Sequence, residues 1–226
     1  ALQLSYAGMP AAEASTEGSG RRRGIVVGVD DYQRTPYGSL TYCTADAEAI
    51  AEALSLPQYG FEVDLLLDEH ATRPRILELL VRAGASRDLD VLAFFFAGHG
   101  DITPLSAFLI THDSEPYREG IELPLLVQLL TRVSETGTAA IAFLDCCKSG
   151  SASLTQAAMT TGSLDPDAVK LAFSHGAGSR AVLAACLADD NAMESAALGH
   201  GRFTHHLLEG LYGEAADASG TITPNS

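Results

Sequence analysis

The 226-residue sequence predicts an α/β domain with a largely parallel sheet, and three observations carry that expectation. Short β-branched or aromatic runs recur along the chain, amphipathic segments of helical period alternate with them, and two of the runs end in clusters rich in Gly, His and Cys. Hydrophobic residues make up 46% and charged residues 19% of the chain, the composition of a folded globular protein.

The elements follow in order. Residues 1–23, rich in Ala, Gly, Ser and Glu and closed by Arg21-Arg22-Arg23, lack apolar periodicity and are expected to form a flexible leader. Residues 24–226 then form the domain. Gly24 to Val29 is the first strand, and Thr44 is expected to cap a helix that buries Ala47, Ile50, Ala51 and Leu54. Phe61 to Leu67 is the second strand, and Arg75 to Ala85 the second helix, with Ile76, Leu79 and Leu80 inward. Val91 to Phe96 is apolar throughout, as a central strand covered on both faces should be. An extended piece at Ala107 to Ile110 precedes a helix from Pro124 to Val133, and Ala139 to Leu144 is the fourth strand. Residues 148–179 are rich in Ser, Gly, Ala and Thr and are expected to be a mobile connection with one helix near 165–173. Arg180 to Ala185 is the fifth strand, an amphipathic helix carries Phe203, Leu207, Leu208 and Leu211, and Gly220 to Thr223 starts a sixth strand.

Charge and cysteine content narrow the function classes. A net charge of −15 repels phosphate backbones and anionic lipid, so neither nucleic acid nor a membrane is an expected partner, whereas a cationic peptide would be attracted. Four cysteines, Cys43, Cys146, Cys147 and Cys186, are too few for a disulfide framework, and no segment has the order of a signal peptide or the length of a membrane span. Reduced thiols and a cytoplasmic location are expected. The start at Ala1 and the stop after Thr223-Pro224-Asn225-Ser226 lead to the expectation of further domains in the full-length protein.

In an open parallel sheet, ligands meet the chain just past the carboxyl ends of the strands. The third strand runs into Ala97-Gly98-His99-Gly100-Asp101, and the fourth into Asp145-Cys146-Cys147-Lys148-Ser149-Gly150. A lone histidine is usually structural. Glycines on both sides favour a functional one, since they are expected to turn the chain sharply and leave the imidazole uncovered. A cysteine attacks well only as thiolate and needs such a base beside it. A phosphatase would want an arginine about six residues beyond its cysteine, where Ser153 stands, and adjacent cysteines without a second pair do not make a zinc site.

The Phe94-Phe95-Phe96-Ala97-Gly98-His99-Gly100 and Asp145-Cys146-Cys147-Lys148-Ser149-Gly150 segments resemble the His-Gly and Asp-x-Cys-x-Ser-Gly motifs of the caspase-like cysteine peptidases, in particular metacaspases and their bacterial relatives. Gly28 to Tyr32, Leu40 to Ala47, Leu183 to Glu194 and Gly201 to Thr204 extend the resemblance over about residues 24–223. It implies a caspase-like sandwich with a mostly parallel six-stranded sheet covered by helices on both faces. Residues 24–147 would be the large-subunit-like part and 180–226 the small-subunit-like part.

By the same resemblance, His99 is the general base and Cys147 the nucleophile, with Cys146 at the variable position between. The backbone amides of Gly100 and Cys147 would form the oxyanion hole. Asp145 and Asp189 match carboxylates that bind arginine or lysine before the cut bond, and Asp46 is a third candidate whose rival role is to face the N-terminal dipole of its helix. The substrate would lie extended along Ala184 to Leu187, and Lys170 and Arg180 are candidate self-cleavage positions. The implied function is an endopeptidase for basic sites, a regulated protease of bacterial defence or cell death; the alternative is a catalytically silent caspase-fold scaffold or sensor. No cofactor is expected. Calcium activates some metacaspases, but the sequence has no spacing like a calcium loop.

Overall fold

The computed structural model describes residues 20–32, 37–102, 106–115, 120–147, 180–184, 194–195 and 199–214, with the backbone alone at Cys147, Arg180, Glu194, Ser195 and Glu214. Strand β1 (Arg21–Gly28) leads to helix α1 (Cys43–Ser55) and β2 (Phe61–Leu67), and α2 (Arg73–Ala85) returns the chain to β3 (Leu89–Ile102). Two short strands, β4 (Ala107–Leu109) and β5 (Ile121–Glu122), precede α3 (Leu123–Glu135) and β6 (Ala139–Cys147). Strand β7 (Arg180–Ala184), the pair β8 (Glu194–Ser195) and β9 (His200–Gly201), and helix α4 (Arg202–Glu209) complete the described strands and α-helices.

Five strands run parallel in the order β2-β1-β3-β6-β7, while β4 pairs antiparallel with the far end of β3 and β5 antiparallel with β4. The expected mostly parallel sheet is therefore present, with seven strands among the described residues rather than six. The proposed sixth strand at Gly220–Thr223 lies outside them, as do residues 1–19, the 148–179 connection and its helix.

Period-two alternation sorts the strands into two faces. On one, Ile25, Val27, Leu92, Phe94, Phe96, Ala142 and Leu144 pack against Ile76, Leu79 and Leu80 of α2 and Leu126, Leu130 and Val133 of α3. On the other, Val26, Ala93, Phe95 and Ala97 pack against Ala47, Ile50, Ala51 and Leu54 of α1 and Leu208 of α4. Burying both faces requires side chains that are apolar at consecutive positions, which is why the central strands are unbroken apolar runs.

Two boundaries differ from the expectation. Strand β1 begins at Arg21, since the arginines pair in register with β2 and β3 and find acidic partners there. Arg21 meets Glu62 at 2.9 Å and Asp88 at 3.0 Å, and Arg23 meets Asp64 at 2.8 Å. Thr44 does not cap α1 from the N-cap position, which is Tyr42. Instead the Asp30 carboxylate accepts the amides of Cys43 (2.9 Å) and Thr44 (3.0 Å) from the end of β1. An acid at a helix N-terminus satisfies otherwise orphaned donors and favours the dipole.

Candidate active site

The carboxyl ends of β3 and β6 lie side by side, and their register pairs Ala97 with Asp145, Gly98 with Cys146 and His99 with Cys147. Neighbouring strands are about 4.8 Å apart, so the histidine and the cysteine stand at one level on adjacent strands. The chain does not turn at Gly98, as the flanking glycines had implied. Strand β3 continues through His99 to Ile102 because β4 supplies a new partner: Ile110 donates its amide to the His99 carbonyl at 2.9 Å. A Cβ at Gly98 would overlap the Tyr32 hydroxyl, and that close approach is the local reason for glycine there.

The imidazole is also not uncovered. His99 is 1% exposed and lies between two tyrosine rings, its centroid 4.5 Å from Tyr32 and 5.3 Å from Tyr37. Tyr32 is buried with it, and burial pushes its phenol well above the ordinary range. The protonated hydroxyl donates to the Ile110 carbonyl (3.0 Å) and accepts the His99 amide (2.9 Å), tying β3 and the end of β4 to the turn after β1. Tyr37 is held in turn by a hydrogen bond from its hydroxyl to Asp101.

The ring's Nε2 is 2.6 Å from the Gly38 carbonyl oxygen. A carbonyl only accepts, which assigns the hydrogen to Nε2 and makes Nδ1 the basic nitrogen of the neutral ring. The Gly38 carbonyl thus sets the tautomer and the orientation of the imidazole. Cys146 is 2% exposed and packs in the hydrophobic core, the place expected of the small residue beside a nucleophile.

Two positions back along β6, Asp145 is 4% exposed and accepts the Thr204 hydroxyl of α4 at 2.7 Å. Asp46, 2% exposed in the first turn of α1, accepts Nδ1–H of His200 at 2.8 Å and the Gly201 amide at 3.1 and 3.2 Å. Burial pushes its carboxyl above the usual range, opposed by His200 and the Gly201 amide and assisted by Asp30. A Cβ at Gly201 would lie 2.9 Å from Asp46 Oδ2 and 3.0 Å from Asp145 Oδ2, so both carboxylates converge on that glycine. Asp46 stands in the first turn of α1, the place its helix-dipole reading gives it, and shares only the neighbourhood of Gly201 with Asp145.

A family model described as a caspase domain matches residues 21–221. The chain belongs to the caspase-domain family. No curated protein matches it at a significant level. Among solved structures, protein GSU0716 from Geobacter sulfurreducens is 23% identical with a TM-score of 0.45, over 58% of this chain and 52% of that one. The structure of pro-sf-caspase-1 is 16% identical with a TM-score of 0.38, over 72% of this chain and 62% of that one. This chain therefore spans about half the length of the first and under two thirds of the second. Membership in the caspase-domain family suggests a cysteine-type peptidase.

Within this caspase domain, the structure sets His99 level with the backbone of Cys147, Gly100 one residue further along β3 opposite Leu109, and Asp46 and Asp145 near Gly201. Asp189 and Lys170 lie outside the described residues. Arg180 opens β7 in register with Ala140, so cleavage after it would first require that strand end to unpair. Sequence reasoning missed Tyr32, Gly38, Asp30, Thr204 and His200. The only metal-ligating grouping among the described residues is His205, His206 and Glu209, whose ligand atoms lie within 4.8 Å of one another on α4. Both imidazoles there already contact Glu209, at 3.3 and 2.8 Å. No helix among the described residues is long and apolar enough to cross a membrane.

Proposed function

We propose that the chain is a cysteine endopeptidase that cuts polypeptides after arginine or lysine, with Cys147 as nucleophile and His99 as general base. The observation that carries this reading is the pairing of positions 99 and 147 at the last rung of the β3–β6 ladder, with an imidazole whose Nε2 is already committed to Gly38. Nδ1 then takes the thiol proton, the thiolate attacks the peptide carbonyl, and His99 returns the proton to the leaving amine. Water, deprotonated by the same ring, hydrolyses the thioester. The oxyanion faces the amides of Gly100 and Cys147. The β3–β6 ladder runs up to this level, so its last rung must open when substrate enters.

Asp46 and Asp145 supply the specificity. A guanidinium placed between two carboxylates gains charge-assisted hydrogen bonds that a neutral side chain does not, and Asp189 joins them by family resemblance. In pairing, β7 contacts only β6 among the described residues, leaving an edge at Ala184 along which an extended substrate adds a strand. We place the enzyme in the cytoplasm, without a required cofactor, as a regulated protease of a defence or cell-death pathway awaiting an activator. Full constitutive activity of the intact protein would count against that last element. The chemistry is tested with an arginyl peptide acyloxymethyl ketone, which should label the wild type at Cys147 and leave Cys147→Ala unlabelled; labelling at Cys146 or Cys43 would overturn the assignment.

A further inference from the structure

His99 and Ile110 face each other where β3 passes into its antiparallel partner. They extend the register that pairs Gly100 with Leu109, Asp101 with Phe108 and Ile102 with Ala107, and Ile110 donates its amide to the His99 carbonyl at 2.9 Å. In an ordinary antiparallel pair the His99 amide returns a hydrogen bond to the Ile110 carbonyl. Here the Tyr32 hydroxyl bridges those two groups, accepting the His99 amide at 2.9 Å and donating to the Ile110 carbonyl at 3.0 Å. An amide only donates and a carbonyl only accepts, so the direction of both bonds is fixed. The room for the hydroxyl comes from Gly98, where a Cβ would overlap the phenol oxygen.

We propose that Tyr32 is a positioning residue for the catalytic base and for the oxyanion amide, acting through this bridged rung. The inference rests on the Cys147–His99 peptidase proposed above. Alternation along β3 turns the backbone groups of His99 toward β4 and those of Gly100 away from it, so the Gly100 amide is left to the side where β6 ends beside His99. The bridge sets the spacing of His99 from Ile110, and the Tyr32 ring, 4.5 Å from the imidazole centroid, packs on the side chain of the same residue. One phenol thus holds both the backbone and the ring of the base, among three residues that are at most 1% exposed.

Tyr32→Phe keeps the ring and removes the bridge. The His99 amide and the Ile110 carbonyl then lose their shared partner in a buried place, and β3 must either forgo that bond or shift to restore it. The first loosens the base and the second moves it, and a displacement of about 1 Å costs reacting groups about a hundredfold in rate. Gly98→Ala displaces the same hydroxyl without removing it. Because the two changes act on one oxygen, their effects are not independent.

The test is the rate at which a peptidyl acyloxymethyl ketone, arginyl or aspartyl, alkylates Cys147, followed by mass spectrometry for the wild type, Tyr32→Phe, Gly98→Ala and the double variant. The labelled fraction reports how much protein is folded, whereas the rate constant at saturation reports the geometry of each folded molecule. A merely structural role lowers the first and leaves the second. Tyr32→Phe should lower the saturating rate constant about tenfold or more, with the half-saturating ketone concentration within about twofold of the wild type. The double variant should fall no more than about twofold below Tyr32→Phe, since the oxygen that the new methyl group would strike is already gone. If Tyr32→Phe does not fold, Gly98→Ala carries the comparison, and an unchanged saturating rate in it counts equally against the role of Tyr32. A rate in Tyr32→Phe within about twofold of the wild type, or a double variant slowed by about the product of the two single effects, would overturn that role. A wild type labelled at Cys147 by neither ketone would instead overturn the peptidase reading on which it rests.

Discussion

At Gly201, just before α4, the absence of a side chain lets the Asp46 and Asp145 carboxylates approach the same stretch of backbone. A methyl group there would sit at 2.9 and 3.0 Å from their oxygens, closer than carbon and oxygen pack, and would push them apart. Gly201→Ala should therefore raise KM for arginyl peptides by about tenfold, the equivalent of about 1.4 kcal/mol, while kcat at saturation stays near that of the wild type. Steady-state kinetics separate the two, and an equal fall in kcat with no change in KM would contradict the pocket. Asp46 predicts a second effect, on stability. Its folded-state carboxyl titrates above the ordinary 3.8 because it is buried, so the native state holds the proton more tightly than the unfolded chain. That contribution is fully present below 3.8 and is lost as pH rises to the higher folded value. Asp46→Asn, uncharged throughout, should gain Tm relative to wild type across this window while losing affinity for basic substrates. Melting curves against pH check it, and a relative loss of Tm with rising pH would show that His200 and Gly201 outweigh the burial.

Among the elements, α1 depends on a distant residue for its start. Asp30 closes it by accepting the amides of Cys43 and Thr44, and the amides of Asp30 and Asp31 are themselves held by Asp68 at 2.8 and 2.9 Å. Asp30→Ala should cost about 1–2 kcal/mol, the usual worth of a helix cap; chemical denaturation measures it, and a cost near zero would assign the cap to solvent. The loss reaches the site, because α1 carries Asp46 one turn further on. The sequence made the central strands and helices legible because a sheet covered on both faces must be written in unbroken apolar runs, as in Val91 to Phe96. It could not show Asp30 as a cap or Tyr32 as the clamp of His99. Tyr32 and His99 are 67 residues apart, and a contact made across the sheet leaves no local pattern. Strand β5 is two residues long, below what any period can mark. Arg21 to Arg23 read as solvated charge because the partners of Arg21 and Arg23, Glu62 and Asp64 on β2 and Asp88 just before β3, lie 41 to 67 residues away in the chain.

For the whole molecule, the parallel register is what turns two separate motifs into one site. The sequence marks Gly-His-Gly and Asp-Cys-Cys as candidate motifs, and β3 and β6 being neighbours places His99 beside Cys147; the covering of the imidazole is not legible there, since the rings of Tyr32 and Tyr37 come from the segment after β1. The net charge of −15 acts over longer range. A cationic peptide is drawn to it until salt screens the field over about 8 Å at physiological ionic strength. Raising salt should therefore lower kcat/KM for arginyl peptides and leave uncharged ligands unaffected; a salt-independent rate would confine the charge to solubility.

Nucleophile and specificity are both decided by hydrolysis of fluorogenic peptides ending in Arg, Lys or Asp by the wild type, Cys147→Ala, Cys146→Ala and Asp145→Ala. Cleavage after Arg or Lys should disappear with Cys147→Ala, survive Cys146→Ala and fall with Asp145→Ala. Cleavage after Asp, or activity that persists without Cys147, would contradict the proposed peptidase, and absence of cleavage with every peptide under reducing conditions, with and without calcium, would favour a caspase-fold scaffold in its place.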